Sequence, residues 1–337
     1  MDPTTALRRI AYLLERDNAE RYKVQAFRNA AAAIAEVPVD EMAAMTSARL
    51  QRIPGVGKTS AQVITEAAAG TTPEYLQKLE SVGLPALGQD ASELMAQLQG
   101  DCHSHSDWSD GGSPIREMAE AAMALGHRYW ALTDHSPRLT IAHGLNADRL
   151  RQQLEIVREL NAELAPFRIL SGIEVDILED GSLDQEEELL AQLDVVVASV
   201  HSKLRMDEPE MTRRMLRAIE SPHTDILGHC TGRILVGKGR PQSTFDARAV
   251  FEACARTGTA VEINSRPERL DPPEPLLSLA LSLDCVVVVD TDAHAPGQLE
   301  WQRNGCEQAA RVGVRPDLIM NALPMEDFLA WTAGHAA

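Results

Sequence analysis

The chain has 337 residues, room for two domains or for one large barrel with a small module attached. Its composition, 44% hydrophobic with only 4% aromatic, favours helix-rich layers over a β-sandwich. A formal charge of −18 argues against a simple electrostatic DNA binder, because neutralising phosphates takes Lys and Arg. That charge is uneven. Residues 1–95 hold 10 Lys and Arg against 12 Asp and Glu, a net of −2. Residues 96–337 hold 22 against 38, a net of −16, where bound divalent cations would offset part of the acid. The five cysteines (Cys102, Cys230, Cys254, Cys285, Cys306) form no CxxC pair and are odd in number, the pattern of reduced cytosolic thiols. The opening MDPTTALRRI lacks the apolar run of a signal peptide, and no stretch approaches the roughly 18 apolar residues of a membrane span. A cytoplasmic enzyme without membrane association is expected.

In chain order, residues 4–36 read as two helices, with Leu7, Ile10, Ala11 and Leu14 as one apolar stripe and Val24, Phe27 and Ala31 as the next. LQRIPGVGKTSAQVITE, residues 50–66, predicts a short helix broken at Pro54, a Gly-Val-Gly hairpin, and a second helix from about Lys58. Residues 70–100 are rich in turn signals and read as a linker with some helix of its own. From residue 101, β-prone runs alternate with helical stretches. The strands are predicted at 101–105, 128–134, 168–175, 194–201, 225–229, 259–264 and 285–291. Seven such units suit a parallel α/β barrel better than a doubly wound sheet. The expected division is a helical module over 1–95 and the barrel over 96–337.

The chemistry lies in what ends each strand. The ends supply His103-Ser104-His105 with Asp110 beyond, Asp134-His135, Glu174, His201, His229, Glu262-Ile263-Asn264, and Asp292-Ala293-His294. In a parallel barrel these ends converge on one face. Six of the ten histidines fall there. Residues i and i+2 of a strand point the same way, so His103 and His105 can reach one ion, and the same parity is expected of Asp292 and His294. Imidazole with carboxylate suits Zn, Mn or Fe rather than Mg or Ca alone. His103, His105, Asp110, His135, Glu174, His201, His229, Asp292 and His294 are too many for one ion and enough for two or three. His127, His223 and His335 read as solvated, and His143 as outside the site.

HSHSDWSDG, ALTDHS, GIEVDI, SVHSKL, DILGHCTGR, EINSRPERLD and DTDAH, in that order, resemble the motifs of a PHP (polymerase and histidinol phosphatase) domain over residues 101 to about 320. The nearest likeness is the C-terminal PHP domain of bacterial family X DNA polymerases. The resemblance implies a distorted (β/α)7 barrel. It also implies metal sets of His103, His105, Glu174 and Asp292; of Glu174, His201 and His229; and of Asp110, His135 and His294. His103, His105, Glu174, His201 and Asp292 would be the catalytic core. Residues 4–36 and the run Ile53–Thr59 resemble the small N-terminal domain of the same polymerases. There a helix-hairpin-helix would meet DNA through Gly55, Gly57, Lys58 and Thr59, backbone N–H groups facing a phosphate at a helix start. Two departures stand out. The stretch 70–100 is too short for the palm that polymerises nucleotides. Val63 also stands where related repair polymerases carry a lyase lysine.

The implied activity is metal-dependent hydrolysis of a phosphodiester, a metal-activated hydroxide attacking in line and a third metal steadying a non-bridging oxygen. Lys203, Arg233 and Arg269 are candidate phosphate clamps, each equally readable as a surface charge. Arg233 is favoured because it follows His229 closely. Trp108 would stack on a base or pack against its own loop. The substrate class implied is DNA, by 3′–5′ exonuclease, 3′-end processing or AP-endonuclease action in repair. The alternative is a small-molecule phosphate monoester phosphatase of the histidinol-phosphatase type.

Overall fold

Asp2 opens the first helix, Pro3–Arg16, by accepting the N–H groups of Thr4 and Thr5 at 3.0 and 3.1 Å, while Pro3 fills a first-turn position that needs no donor. The stripe of Leu7, Ile10, Ala11 and Leu14 is buried in one core with Phe27, Ala30 and Ala31 of the helix Arg21–Ala33. Thr46 caps the short helix Ser47–Leu50. The chain then turns through Gly55, whose φ of +93° suits glycine and where a Cβ would sit 3.3 Å from the Asn29 carbonyl oxygen. Gly57 heads the helix Lys58–Ala68, and its N–H donates to Ser60 Oγ at 2.8 Å. Val56 is buried, which leaves Gly55, Gly57, Lys58 and Thr59 exposed at the turn.

The computed structural model describes residues 1–335 and separates into two compact units, Met1–Ala86 with Pro296–Gln298, and Leu87–Ala295 with the residues from Leu299 on. The break falls at Ala86 rather than at the expected 95/96. The helix Gln89–Met95 lies beyond it because Ala91 and Leu94 are buried in the core of the second unit, whereas Leu76 of the helix Glu74–Val82 is buried in the first.

In the second unit, the strands among the described residues are β1 (Gly100–Asp101), β2 (Tyr129–Leu132), β3 (Arg168–Asp176), β4 (Val195–Ser199), β5 (Ile226–Leu227), β6 (Ala260–Asn264) and β7 (Val287–Asp290). They pair in chain order and all in parallel. Both faces are covered, as parallel strands require. Tyr129, Ala131, Val195, Val197 and Val288 belong to one buried cluster, while their neighbours Val196, Ala198, Val287 and Val289 belong to another with the flanking helices. The sheet curls into a nearly closed barrel surrounded by helices. Its seam is crossed beyond the strands, where Asp292 N–H donates to the His103 carbonyl at 2.9 Å and His105 N–H to the Ala293 carbonyl at 2.7 Å.

Six of the strands are shorter than expected, and β3 alone reaches its full expected length. Residues 102–105 and 291 lie at this seam, where a few crossing hydrogen bonds replace a continuous ladder. No helix among the described residues is long and apolar enough to cross a membrane.

Candidate metal centre

Glu174, near the carboxyl end of β3 and 1% exposed, is the hub of the ligand candidates. Its Oε1 lies 2.8 Å from His229 Nε2 and 3.1 Å from His201 Nε2. Its Oε2 lies 2.8 Å from His135 Nδ1, 3.4 Å from His103 Nε2 and 3.6 Å from His105 Nε2. One carboxylate therefore faces two sets of imidazoles. Further along, Asp292 Oδ1 is 3.5 Å from His105 Nε2. Asp110 Oδ1 is 3.5 Å from His135 Nε2 and 3.3 Å from His294 Nε2. All nine expected ligands thus gather at one end of the barrel, in four overlapping groups that could each hold an ion.

Electrostatics and hydrogen bonding fit metal ions. Among the described residues, His103 Nε2, both ring nitrogens of His105, His201 Nε2, Glu174 Oε2 and Asp110 Oδ1 are buried close to one another but in no well-aligned hydrogen bond. An unsatisfied buried polar group costs about 1–3 kcal/mol, so so many turned toward one another call for cations to complete them. Burial opposes charge on His103, yet Glu262 and Glu174 outweigh it and hold its pKa well above the ordinary value. Burial is likewise overcome at His201, which Glu174 and Asp176 carry up to about 9. Burial, with the charges of His294 and His135 beside it, drives His105 down to about 3. Against its own burial, Glu174 is held well below the carboxylate range by His201, His103 and His135. The carboxylates thus draw positive charge to this point, and protons alone satisfy it unevenly. The donor set suits divalent metal ions.

The sequence assigns no role to several side chains that aim the ligands, although it places Asp134 and Glu262 at strand ends. Glu262 in β6, fully buried, faces His103 Nδ1 at 2.6 Å and accepts the His229 N–H, which leaves His103 Nε2 turned toward Glu174. Asp176 does the same for His201, Oδ1 to Nδ1 at 3.1 Å. Such carboxylate–imidazole pairs fix the tautomer and raise ligand basicity. Asp134 pins the loop that carries Asp110 by accepting from Ser106 N–H (2.8 Å), Ser106 Oγ (2.6 Å), Ser109 Oγ (2.5 Å) and Gln153 Nε2 (2.7 Å). The usable signal was parity: Glu262 and Asn264 alternate along one face of β6.

Strand parity does not apply to Asp292 and His294, which lie past the end of β7, Asp292 with φ +53°. The two are neighbours all the same: Asp292 Oδ1 is 3.5 Å from both His105 Nε2 and His294 Nδ1, and His294 Nε2 also reaches Asp110 Oδ1 at 3.3 Å. Of the phosphate candidates, Arg269 lines the pocket over the cluster, its Nε 3.2 Å from Asp292 Oδ2. Arg233 does not. Its guanidinium donates to the carbonyls of Arg269 (2.9 Å) and Leu270 and braces that loop. Lys203 is exposed and lies outside the pocket lining. Arg266 was missed. It lines the pocket with Nη1 3.3 Å from Asp292 Oδ1.

Trp108 packs on the hydrophobic clusters, with the Arg149 guanidinium 5.8 Å from its ring centroid. Three histidines expected in solvent are not there. His127 is buried, and burial lowers its pKa to about 4. His335 pairs with Asp225 at 3.0 Å and packs on Trp331, and the His223 side chain is 11% exposed. All five cysteines are buried and unpaired as disulfides, Cys230 among them at 3.8 Å from Asp271 Oδ1.

Residues 101–266 match the PHP domain family, and residues 2–73 match a helix-hairpin-helix domain. The chain belongs to the PHP-domain proteins. As a PHP protein it is a hydrolase of phosphate ester bonds. It is 41% identical over 244 residues, 72% of its length, to the DNA polymerase/3′-5′ exonuclease PolX of Bacillus subtilis, of which the match spans 42%. It is 29% identical over 241 residues to a probable phosphatase of Syntrophotalea carbinolica, covering 68% of this chain and 93% of that one. Among solved structures, histidinol phosphate phosphatase of Lactococcus lactis superposes with a TM-score of 0.46 at 18% identity, over 64% of this chain and 94% of the other.

Proposed function

We propose that this PHP protein hydrolyses phosphate esters at DNA 3′ ends or abasic sites, as a 3′–5′ exonuclease, 3′-end processing enzyme or AP endonuclease in repair. The observation that carries the reading is the shared Glu174, with one oxygen toward His201 and His229 and the other toward His103 and His105. His103, His105, Glu174 and Asp292 would hold one ion. Glu174, His201 and His229 would hold a second, and Asp110, His135 and His294 a third. Bound there, two or three zinc, manganese or iron ions would supply a low-pKa water and charge neutralisation. The protein's own part is to aim and to clamp. Glu262 and Asp176 keep the imidazoles in register, and Arg266 and Arg269 stand where an anionic ester entering the pocket would find two guanidinium groups.

Support for DNA comes from the N-terminal unit. Gly57, Lys58 and Thr59 leave a helix start open to solvent, and the first N–H groups of a helix have no intrahelical acceptor. The helix-hairpin-helix match and the exonuclease relative point the same way. Polymerisation is left out of the proposal, since no polymerase palm stands between the two units.

The test is a set of 5′-labelled DNAs with recessed, blunt, 3′-phosphate and abasic ends, assayed with Mn, Zn or Mg. Activity that survives both His103→Ala and Glu174→Ala would remove this site from the reaction.

A second reading has its own support in the probable phosphatases, which align over about nine-tenths of their length without needing a DNA module. A small phosphate monoester phosphatase would turn over a metabolite-sized monoester at a rate that Lys58→Glu does not alter, and would leave every DNA intact.

A further inference from the structure

The barrel is strongly acidic, yet three loops at the mouth of its pocket are not. Between His135 and Asp148, between His201 and Asp207, and between His229 and Asp246, the chain contains no carboxylate. These stretches present Arg138, Lys203, Arg205 and Lys238 to solvent, while Arg233 and Arg240 donate to backbone carbonyls and brace their own loop. Each follows a strand end that bears a ligand candidate and runs to the next helix. Two of them also contribute to the pocket wall, through Leu139 and Ile234. Beside those wall residues, aliphatic side chains stand in solvent: Ile141 is 91% exposed, Leu235 51% and Val236 49%.

The loops are held rigidly at their bases. Asp184 accepts from Ser136 Oγ at 2.9 Å and from Arg138 N–H at 2.5 Å. Ile234 and Arg240 exchange backbone hydrogen bonds at 2.9 Å, and Leu235 N–H donates to the Glu268 carbonyl at 2.7 Å. Single exposed aliphatics are ordinary, but three of them on anchored loops around one pocket mark a surface suited to a partner.

We infer that this rim is a strand-separating edge for DNA: its cations hold the phosphates while Ile141 and the pair Leu235–Val236 press against the terminal bases and free the 3′ nucleotide from its partner. The inference rests on the DNA reading above and deepens it. Two observations favour a nucleic-acid end as the occupant. The loops are cationic in a domain whose net charge is −16, which matches a polyanion. The pocket, about 290 Å³, has a volume of the order of a single nucleotide and far below that of a duplex end. An enzyme with such a site must draw its nucleotide out of the stack, and aliphatic wedges flanked by basic residues are how proteins unstack DNA. Of the carboxylates around the pocket, Glu268 and Asp292 face Arg266 and Arg269, and Asp184 accepts from Ser136 Oγ and the Arg138 N–H.

The experiment compares kcat/KM of the full chain on two 5′-labelled duplexes, one with a matched 3′ end and one whose last three nucleotides are unpaired, with bis(p-nitrophenyl) phosphate as a third substrate. Ile141→Ser and Leu235→Ser should each lower the matched-to-unpaired ratio by about tenfold, and Ile141→Leu should restore it. Because the readout is a ratio within one preparation, partial misfolding cannot imitate it. A ratio that stays at the wild-type value in both serine variants overturns the wedge while leaving DNA hydrolysis standing. A wild-type protein that cleaves the chromogenic diester but neither duplex overturns the DNA reading, and the wedge with it.

Discussion

The two units of this PHP protein place their polar groups in opposite ways. In the helical unit, the groups offered to a partner are backbone N–H groups and the exposed Lys58 and Thr59 at a glycine turn, while the apolar core beneath is complete without them. In the barrel, the functional groups are themselves the interior: His103, His105, Glu174 and Asp292 are almost wholly buried and leave ring and carboxylate atoms unsatisfied. A contact built from exposed backbone costs the fold little and tolerates change. A centre built from buried donors makes stability and chemistry depend on the same ions.

The sharpest way to break that comparison is at its hub. Glu174→Ala should lower hydrolysis of DNA and of a small diester alike by about 10³-fold or more, and should reduce metal content measured by mass spectrometry. A variant with full metal content and activity would show the carboxylate to be incidental. Glu262→Gln tests whether aiming matters as much as ligation. It keeps the shape but weakens the pair with His103, and about 10–100-fold should be lost in metal affinity, read by competition with a chelating dye. Stripping the metals addresses stability. Restoring them at about a hundredfold excess over Kd should raise Tm by roughly 5–10 °C. The protection gained in hydrogen exchange should appear at the strand ends and not in the helix Lys58–Ala68. The smallest effect belongs to the hairpin. Lys58→Glu should weaken DNA binding a few-fold and flatten its salt dependence by about one unit of slope, with hydrolysis of the small diester unmoved.

Much of this was legible in the sequence, and the gaps have physical causes. The seven strands announced themselves as short apolar runs between helices, and the nine ligand candidates as His, Asp and Glu at their ends, because parallel strands bring their carboxyl ends together whatever lies between. Parity along a strand ceased to apply where the strand stopped: past β7 the left-handed turn at Asp292 leaves its Oδ1 between His105 and His294, and His294 reaches on to Asp110. Glu262 and Asp176 looked like ordinary strand carboxylates, since their task is defined by which imidazole nitrogen they face and not by spacing. Arg233 drew notice by closeness in sequence to His229, yet its guanidinium braces the Arg269–Leu270 backbone, while Arg266 from a later loop reaches the pocket. The boundary at Ala86 turned on which core takes Ala91 and Leu94, a question of tertiary packing that turn residues between 70 and 100 do not answer.

The barrel's seam bears on how the protein comes into being. His103 and His105 leave the ribosome early, but the residues that face them across the gap, Asp292 and Ala293, emerge about 190 positions later. A partly synthesised chain can lay down six strands and still lack the last ligand candidates. With the proposed ligand set, the centre would be complete only once the final strand docks, and a translation product ending before residue 292 is expected to lack the proposed activity.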